Sequence, residues 1–320
     1  MEENEHSSVL QKLQLLEQNV NKVIVGKQKA VRLALITLLC KGHLLLEDVP
    51  GVGKTVLAKT IAKSISAKFN RIQFTPDLLP NDVTGVSIFN QKNLDFEFRE
   101  GPIFANIILG DEINRATPRT QSSLLECMEE KQVTIDGETH ALPELFFVIA
   151  TQNPVEQHGT FPLPEAQLDR FFMCIQLGYP SEQQEIAILN AQIQHHPLQD
   201  IKPVITAEEI HALQQKICDM HISDSVKAYL VAIVRATRES KDINLGASPR
   251  ASLALMRACQ AYALFNNEEF VTPQMVKELA LPILCHRIIA NPQSHISGTD
   301  APKIIHKILN SVVVPLDEDQ

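Results

Sequence analysis

Short apolar runs alternate with amphipathic segments along the amino-terminal part of the chain. Four such runs predict buried strands at 43–47, 103–109, 145–150 and 171–177, and a further strand is predicted at 71–75. Helical periodicity predicts helices at about 8–21, 28–41, 54–68 and 117–130. Buried strands that alternate with helices predict an α/β fold, in which a mostly parallel sheet carries helices on both faces. An Asp-Gly turn at Asp136–Gly137 adds a predicted hairpin.

The pattern changes after the Gly-Tyr-Pro of residues 178–180 and becomes helical. Helices are predicted at 181–195, 207–218, 223–240, 249–265 and 273–285, and no strand is predicted among them. Plausible N-caps precede these helices, namely Ser181, Thr206, Ser223, Ser248 and Thr272. We therefore expect two domains. Residues 1–178 form an N-terminal helix and the α/β core, and residues 179–320 form a smaller all-helical domain.

Composition narrows the class of partner. The 320 residues carry a formal net charge of −9. This acidic balance disfavours binding along a nucleic-acid backbone. It does not exclude nucleic acid, because a local basic patch can exist on an acidic protein. The acidic, polar N-terminus is unlike a secretory signal, and the longest apolar run, at 33–40, is too short to span a membrane. The expected location is the cytoplasm.

The segment 47–55 joins a predicted strand to a predicted helix and contains Gly51, Gly53, Lys54 and Thr55. The glycines let backbone N–H groups turn toward an anion, and the helix that begins at Lys54 directs its positive dipole end to the same place. Lys54 is expected to reach the β and γ phosphates of a nucleotide, and Thr55 to ligate Mg²⁺.

One position in this loop departs from the usual pattern, G-x-x-x-x-G-K-[ST]. Asp48 stands where the pattern has its first glycine. The alternative is a chance Gly-Lys-Thr in an ordinary loop, and the strand–turn–helix context argues against it.

Polar side chains follow two of the predicted strands. Asp111 is expected to hold the water shell of Mg²⁺ opposite Thr55, and Glu112 to polarise the water that attacks the γ phosphate. Asn153 follows the next strand. Because parallel strands end at one edge of a sheet, we expect Asn153 to orient that water. The alternatives are solvated acids and a plain Asn-Pro turn.

Together these residues resemble the AAA+ ATPases, and more narrowly the MoxR family, from about Val23 to Ile289. The resemblance rests on the motifs LEDVPGVGKT at 46–55, DEINRA at 111–116, LLECMEE at 124–130, ATQNP at 150–154 and GASPR at 246–250. It implies a P-loop sheet of the ASCE type followed by a helical lid domain. Asp48 in place of glycine also looks tolerated among such sequences.

The resemblance implies roles that spacing alone does not give. Asp111 and Glu112 resemble the Walker B pair, and Asn153 the first sensor. Arg250 resembles the second sensor that reaches the γ phosphate. Arg170 resembles an arginine finger offered to the ATP of a neighbouring subunit. The alternative for each arginine is a surface ion pair.

The resemblance thus implies ATP and Mg²⁺ as cofactors and a defined set of site residues. The implied catalytic residues are Lys54, Glu112, Asn153, Arg170 and Arg250. The implied nucleotide contacts are Val25, Asp48, Pro50, Gly51, Val52, Gly53, Lys54, Thr55, Val56, Asp111 and Arg250. The implied Mg²⁺ ligands are Thr55 and Asp111.

The resemblance also implies an assembly, a homo-oligomeric ring that is hexameric. The hairpin at Asp136–Gly137 and the stretch at about 84–101 resemble inserts that contact substrate; plain loop excursions are the alternative. We expect a motor that remodels or matures a protein client, such as one with a von Willebrand A domain. A nucleic-acid motor and a non-hydrolysing scaffold are the alternatives. The acidic charge weighs against the first, and Glu112 with Asn153 against the second.

Overall fold

A computed structural model of the protein describes residues 2–153, 159–293 and 299–315, with side chains described from residue 9 onward. The chain forms two compact units. The sheet unit comprises Leu15–Leu163 and Ile175–His211. The helical unit comprises Met1–Gln14, Pro164–Cys174 and Ala212–Gln320. The boundary between residues 178 and 179 stays a prediction.

The predicted helices and the predicted strands of the main sheet are present in the predicted order, and the structure adds further short elements. The segment up to β9 contains α1 (Glu2–Asn21), α2 (Gln28–Leu39), β1 (Leu44–Glu47), α3 (Lys54–Ser64), β2 (Phe69–Gln73), α4 (Pro80–Thr84), β3 (Gly85–Asn90), β4 (Asp95–Glu100), β5 (Ile107–Asp111), α5 (Pro118–Glu130), β6 (Gln132–Ile135), β7 (Glu138–Ala141), β8 (Phe147–Gln152), α6 (Glu165–Leu168) and β9 (Met173–Ile175). The remaining elements are α7 (Glu182–Ala191), α8 (Ala207–Lys216), α9 (Asp224–Glu239), β10 (Ile243–Leu245), α10 (Pro249–Phe265), α11 (Pro273–Leu284), β11 (Ile289–Ala290) and α12 (Ala301–Ser311).

The main sheet has five strands in the order β2-β5-β8-β1-β9. The pairs β2–β5, β5–β8 and β8–β1 are parallel. The central strands β1, β5 and β8 are buried almost throughout, which explains why they are apolar at successive positions rather than alternately. The α/β fold predicted from the apolar runs is confirmed. Because the strands run parallel, their carboxyl ends lie at one edge, where the polar residues after β1, β5 and β8 collect.

Two antiparallel hairpins extend the sheet unit. The predicted Asp-Gly hairpin is confirmed as β6–β7, with Asp136 and Gly137 both at positive φ. The segment 84–101 contains the β3–β4 hairpin. The two hairpins touch, because the ring of His140 stacks on that of Phe98 with centroids 3.9 Å apart.

The helical unit contains α9 to α12, of which α9, α10 and α11 begin at predicted caps. The hydroxyls of Ser223, Ser248 and Thr272 accept backbone N–H bonds in the first turns of α9, α10 and α11. The prediction that residues 181–290 contain no strand was wrong, because β10 and β11 form a small antiparallel sheet. These strands have three and two residues, too few to show an alternating pattern. No helix in the described ranges is long and apolar enough to cross a membrane.

Candidate functional site

Residues 48–53, which we call the phosphate loop for their predicted role, connect β1 to α3 in the predicted strand–turn–helix arrangement. Gly51 has φ 84° and Gly53 has φ 101°, a conformation that glycine adopts without the strain a side chain would bring. A Cβ atom at either position would meet nothing within 4 Å, so conformation rather than crowding calls for glycine here. Gly53 is the N-cap of α3. The unpaired N–H groups of the first helical turn, which includes Thr55 and Val56, therefore begin at this loop.

Lys54 lies among three carboxylates of the sheet unit. Its Nζ donates to the backbone carbonyl of Asp48 at 2.7 Å. Burial lowers the pKa of Lys54, and the negative charges of Asp111, Asp48 and Glu112 oppose that shift. The fold thus brings together Lys54, the first residue of α3, with Asp111, the last residue of β5, and Glu112, which follows it.

Asp111 ends β5, and both of its oxygens have partners. Oδ1 accepts a bond from the Thr151 hydroxyl at 2.6 Å. Oδ2 accepts from the Arg71 guanidinium at 2.6 Å. Carboxylate and hydroxyl oxygens are the donors that Mg²⁺ prefers, so Asp111 and Thr55 fit the predicted metal. Arg71 and Thr151 were not selected from the sequence, although Thr151 stands in the ATQNP motif at 150–154.

Glu112 has a left-handed backbone, with φ 58°, which is uncommon for a residue with a side chain. Three neighbours hold it. Its N–H donates to the Thr151 hydroxyl at 2.9 Å. Its carboxylate accepts from Gln73 Nε2 at 2.9 Å and lies 3.1 Å from Arg115 Nε. Thr151 therefore fixes both acids at once, as donor to one and acceptor from the other.

The remaining predicted contacts in the sheet unit lie on nearby segments. Asn153 is buried and follows β8 directly, and β8 is the parallel neighbour of β5. Val25 lies in the turn between α1 and α2. Pro50 and Val52 belong to the phosphate loop itself. Their contacts with a nucleotide stay predictions.

Asp48, which stands where the usual pattern has glycine, is buried, with 7% of its surface exposed. Oδ2 accepts backbone N–H bonds from Leu177 at 2.6 Å and Gly178 at 2.8 Å. Oδ1 accepts from its neighbour Val49 at 3.1 Å. The acid that interrupts the glycine pattern therefore bonds the phosphate loop to the chain just beyond β9.

The two predicted arginines belong to the helical unit, which has its own polar cluster. Arg250 is in the first turn of α10, and its N–H donates to Ser248 Oγ at 3.2 Å. Arg170 lies between α6 and β9. Its neighbour Asp169 accepts from the Ser248 hydroxyl at 3.0 Å and from Arg287 Nε at 2.8 Å. The segment that carries Arg170 and the cap of the Arg250 helix thus share one carboxylate.

Arg287 is almost fully buried, and it was not selected from the sequence. Its guanidinium also donates to the backbone carbonyls of Phe171, Phe172 and Ile283. Burial lowers the pKa of Arg287, the carboxylate of Asp169 opposes that shift, and the nearby charge of Arg250 adds to it. The predicted roles of Arg170 and Arg250 toward nucleotide stay predictions.

Comparison with known proteins gives a consistent assignment along the chain. Residues 43–173 match the family described as the ATPase family associated with various cellular activities (AAA), and residues 235–308 match the AAA lid domain. The chain is 52% identical to the uncharacterized protein YeaC of Bacillus subtilis, with 93% of each chain covered.

Two further relatives cover most of the chain. Identity to the protein named chaperone MoxR1 of Mycobacterium tuberculosis is 39%, over 92% of this chain and 80% of that protein. The crystal structure of a candidate ATPase from Cytophaga hutchinsonii superposes with a TM-score of 0.91 at 40% identity, covering 98% of both chains.

Proposed function

Because this chain belongs to the MoxR family of AAA+ ATPases, we propose that it hydrolyses ATP with Mg²⁺ and couples hydrolysis to the remodelling or maturation of other proteins. The observation that carries the proposal is the convergence of Lys54, Asp111 and Glu112 beside a glycine loop at a helix N-terminus. A site that only held nucleotide would need no positioned base such as Glu112.

The reaction follows from the positions of these groups. A water oxygen forms a bond to the γ phosphorus while the bond from that phosphorus to the bridging oxygen breaks, and ADP leaves. Glu112 accepts the proton of the water, and Gln73 and Arg115 hold its carboxylate in place. Lys54 places its positive charge on the β and γ phosphates. Thr55 and Asp111 would hold Mg²⁺, which would supply positive charge to offset that of the phosphates.

The Glu112→Gln variant tests hydrolysis. It should bind ATP with unchanged affinity because the phosphate loop is intact, while turnover should fall at least about 100-fold because the general base is lost. Binding is measured with a fluorescent ATP analogue, and turnover by phosphate release. The matched control is Glu268→Gln, at an exposed position of the helical unit, which should behave as wild type. Undiminished phosphate release by Glu112→Gln would reject the assigned role.

We propose further that Arg170 acts on the ATP of a neighbouring subunit in a ring, and that the ring is a hexamer. The Arg170→Ala variant should bind ATP and lose turnover about 1,000-fold or more, since a finger of this kind stabilises charge on the transferring phosphoryl group. Mixing it with Glu112→Gln subunits should restore activity, because each partner then supplies what the other lacks. If the mixture stays inactive, or if wild-type monomers at high dilution are fully active, the assignment in trans fails.

The client proposal is supported by the relative that is named a chaperone. Glu112→Gln held in ATP should retain a protein client that Glu112→Gln in ADP releases, and a purified von Willebrand A domain protein is the first candidate. That partner should also change the ATP turnover of wild type. Stimulation by DNA or RNA that disappears as salt is raised would instead favour the nucleic-acid motor.

A further inference from the structure

Asp48 makes more bonds than a phosphate loop requires of this position. A buried carboxylate needs partners, and here the long-range partners are backbone N–H groups of Leu177 and Gly178, 129 and 130 positions later. Bonds from N–H groups to an ionised carboxylate are shorter and stronger than neutral ones. The loop is therefore attached firmly to the chain that leaves β9.

The main chain of the same residue contacts the phosphate-binding lysine. The Asp48 carbonyl accepts from Lys54 Nζ, and the charges of Lys54 and the Asp48 carboxylate attract each other. A Lys54 side chain that turned to the phosphates of a bound nucleotide would leave the Asp48 carbonyl without this donor. The carboxylate would then share less of its charge with the ammonium, which would strengthen its bonds to Leu177 and Gly178.

The chain beyond β9 is also attached at the turn between α1 and α2. We call residues 177–184 the exit segment. Within it, Gln184 Nε2 donates to the carbonyl of Gly26 at 3.2 Å, and the carbonyl of Tyr179 accepts from Lys27 Nζ at 2.8 Å. Gly26 has φ 72°, a conformation that side chains rarely adopt, and a Cβ atom there would also displace the end of the Gln184 side chain. Gly26 directly follows Val25, the predicted adenine contact.

We propose that Asp48 is a positioning residue that transmits nucleotide occupancy of the phosphate loop to the exit segment. The exit segment is bonded to the phosphate loop at one point and to the α1–α2 turn at two, so it is placed to respond to both ends of a nucleotide. This inference rests on the proposed binding of ATP at Lys54. It also accounts for the departure from the glycine pattern, because glycine at this position has no side chain to reach Leu177 and Gly178.

Hydrogen exchange of the wild-type protein gives the first test. Exchange at the amides of Leu177 and Gly178 is measured without nucleotide, with ADP, and with a non-hydrolysable ATP analogue and Mg²⁺. Saturating nucleotide should slow it about tenfold or more, since the carboxylate bonds strengthen. Nucleotide binding with unchanged exchange at these amides would overturn the inference while leaving the proposed function intact. Absence of nucleotide binding would instead reject the proposed function.

The Asp48→Asn variant gives the second test. It keeps the shape and removes the charge. Nucleotide affinity should stay within about threefold of wild type, the exchange response at Leu177 and Gly178 should disappear, and kcat should fall about tenfold or more with KM nearly constant. The control is Asp300→Asn. Asp300 is the N-cap of α12 and is not a residue of the proposed site, and asparagine caps a helix as well as aspartate does. An Asp48→Asn protein that keeps the exchange response, or loses affinity and kcat in parallel, would also overturn the inference.

Discussion

The Thr151→Val substitution tests whether β8 holds the two acids in working positions. Thr151 is completely buried. Its hydroxyl donates to Asp111 at 2.6 Å and accepts from the Glu112 N–H at 2.9 Å. Valine has nearly the same shape and can make neither bond, so the change isolates the hydroxyl.

The expected loss follows from these two bonds. A hydrogen bond to a charged group contributes about 1.5–3 kcal/mol, and an N–H left without a partner costs about 1–3 kcal/mol. The additional methyl group of valine returns about 0.8 kcal/mol. The free energy of unfolding should therefore fall by about 2–5 kcal/mol. The left-handed backbone of Glu112, a conformation that costs about 1–3 kcal/mol, also loses a restraint.

Activity should fall because the acids move. Outer-shell bonds of this kind change metal affinity or activity about 10–100-fold when they are removed. Turnover is followed by phosphate release over a range of ATP and Mg²⁺ concentrations, and stability by circular dichroism during heating. The matched control is Thr37→Val in α2, also fully buried, whose hydroxyl donates to the Leu33 carbonyl within the same helix at 2.8 Å.

Two outcomes would refute the reasoning. If Thr151→Val keeps kcat within about threefold of wild type, the hydroxyl does not position the acids. If Thr37→Val loses as much turnover as Thr151→Val, the effect comes from general loosening of the core. The expected result is a fall in kcat confined to Thr151→Val.

Three further substitutions test the polar groups that the sequence did not single out. Arg71→Met removes the cation beside Asp111, so the Mg²⁺ concentration for half-maximal turnover should fall severalfold in a titration; an unchanged value would show that Arg71 does not compete for that oxygen. Asp169→Asn leaves the charge of buried Arg287 uncompensated and should cost about 3 kcal/mol or more in urea unfolding, whereas an unchanged midpoint would contradict this. Burial lowers the pKa of His286 from 6.5 to about 3, so the unfolded chain binds more protons between these values and stability falls as pH drops through that window. His286→Gln should flatten this dependence in melting curves from pH 7 to pH 4, and an equally steep curve would assign it to other groups.

The sequence predicted the features that depend on local spacing. The glycine loop and Lys54, the acids that end β5, and the caps of the later helices all lie within a few residues of the elements they serve. Apolar runs identified β1, β5 and β8 for the same reason, since a strand buried on both faces is apolar along its whole length.

The sequence could not predict the partners that the fold brings together. Asp48 and Gly178 are 130 positions apart, and Asp169 and Arg287 are 118 apart. Nothing local marks Thr151, a polar residue in an apolar strand, as the hydroxyl between two acids. Such contacts depend on strand order and register, which a single sequence does not specify. The strands β10 and β11 were missed for the same reason, because their pairing with each other, and not a sequence pattern, defines them.

The order of strands in the sheet also sets when the nucleotide site can come into existence during synthesis. β1 lies between β8 and β9, so its hydrogen-bonding neighbours are made long after it, and Leu44 pairs with Ile149. Until Gln152 has left the ribosome, the three buried leucines of β1 have no strand beside them and are exposed to misassociation. The loop is complete in the nascent chain well before it can bind. The site residues that follow β1, β5 and β8 can therefore come together only after β8 has been made and has paired with β1.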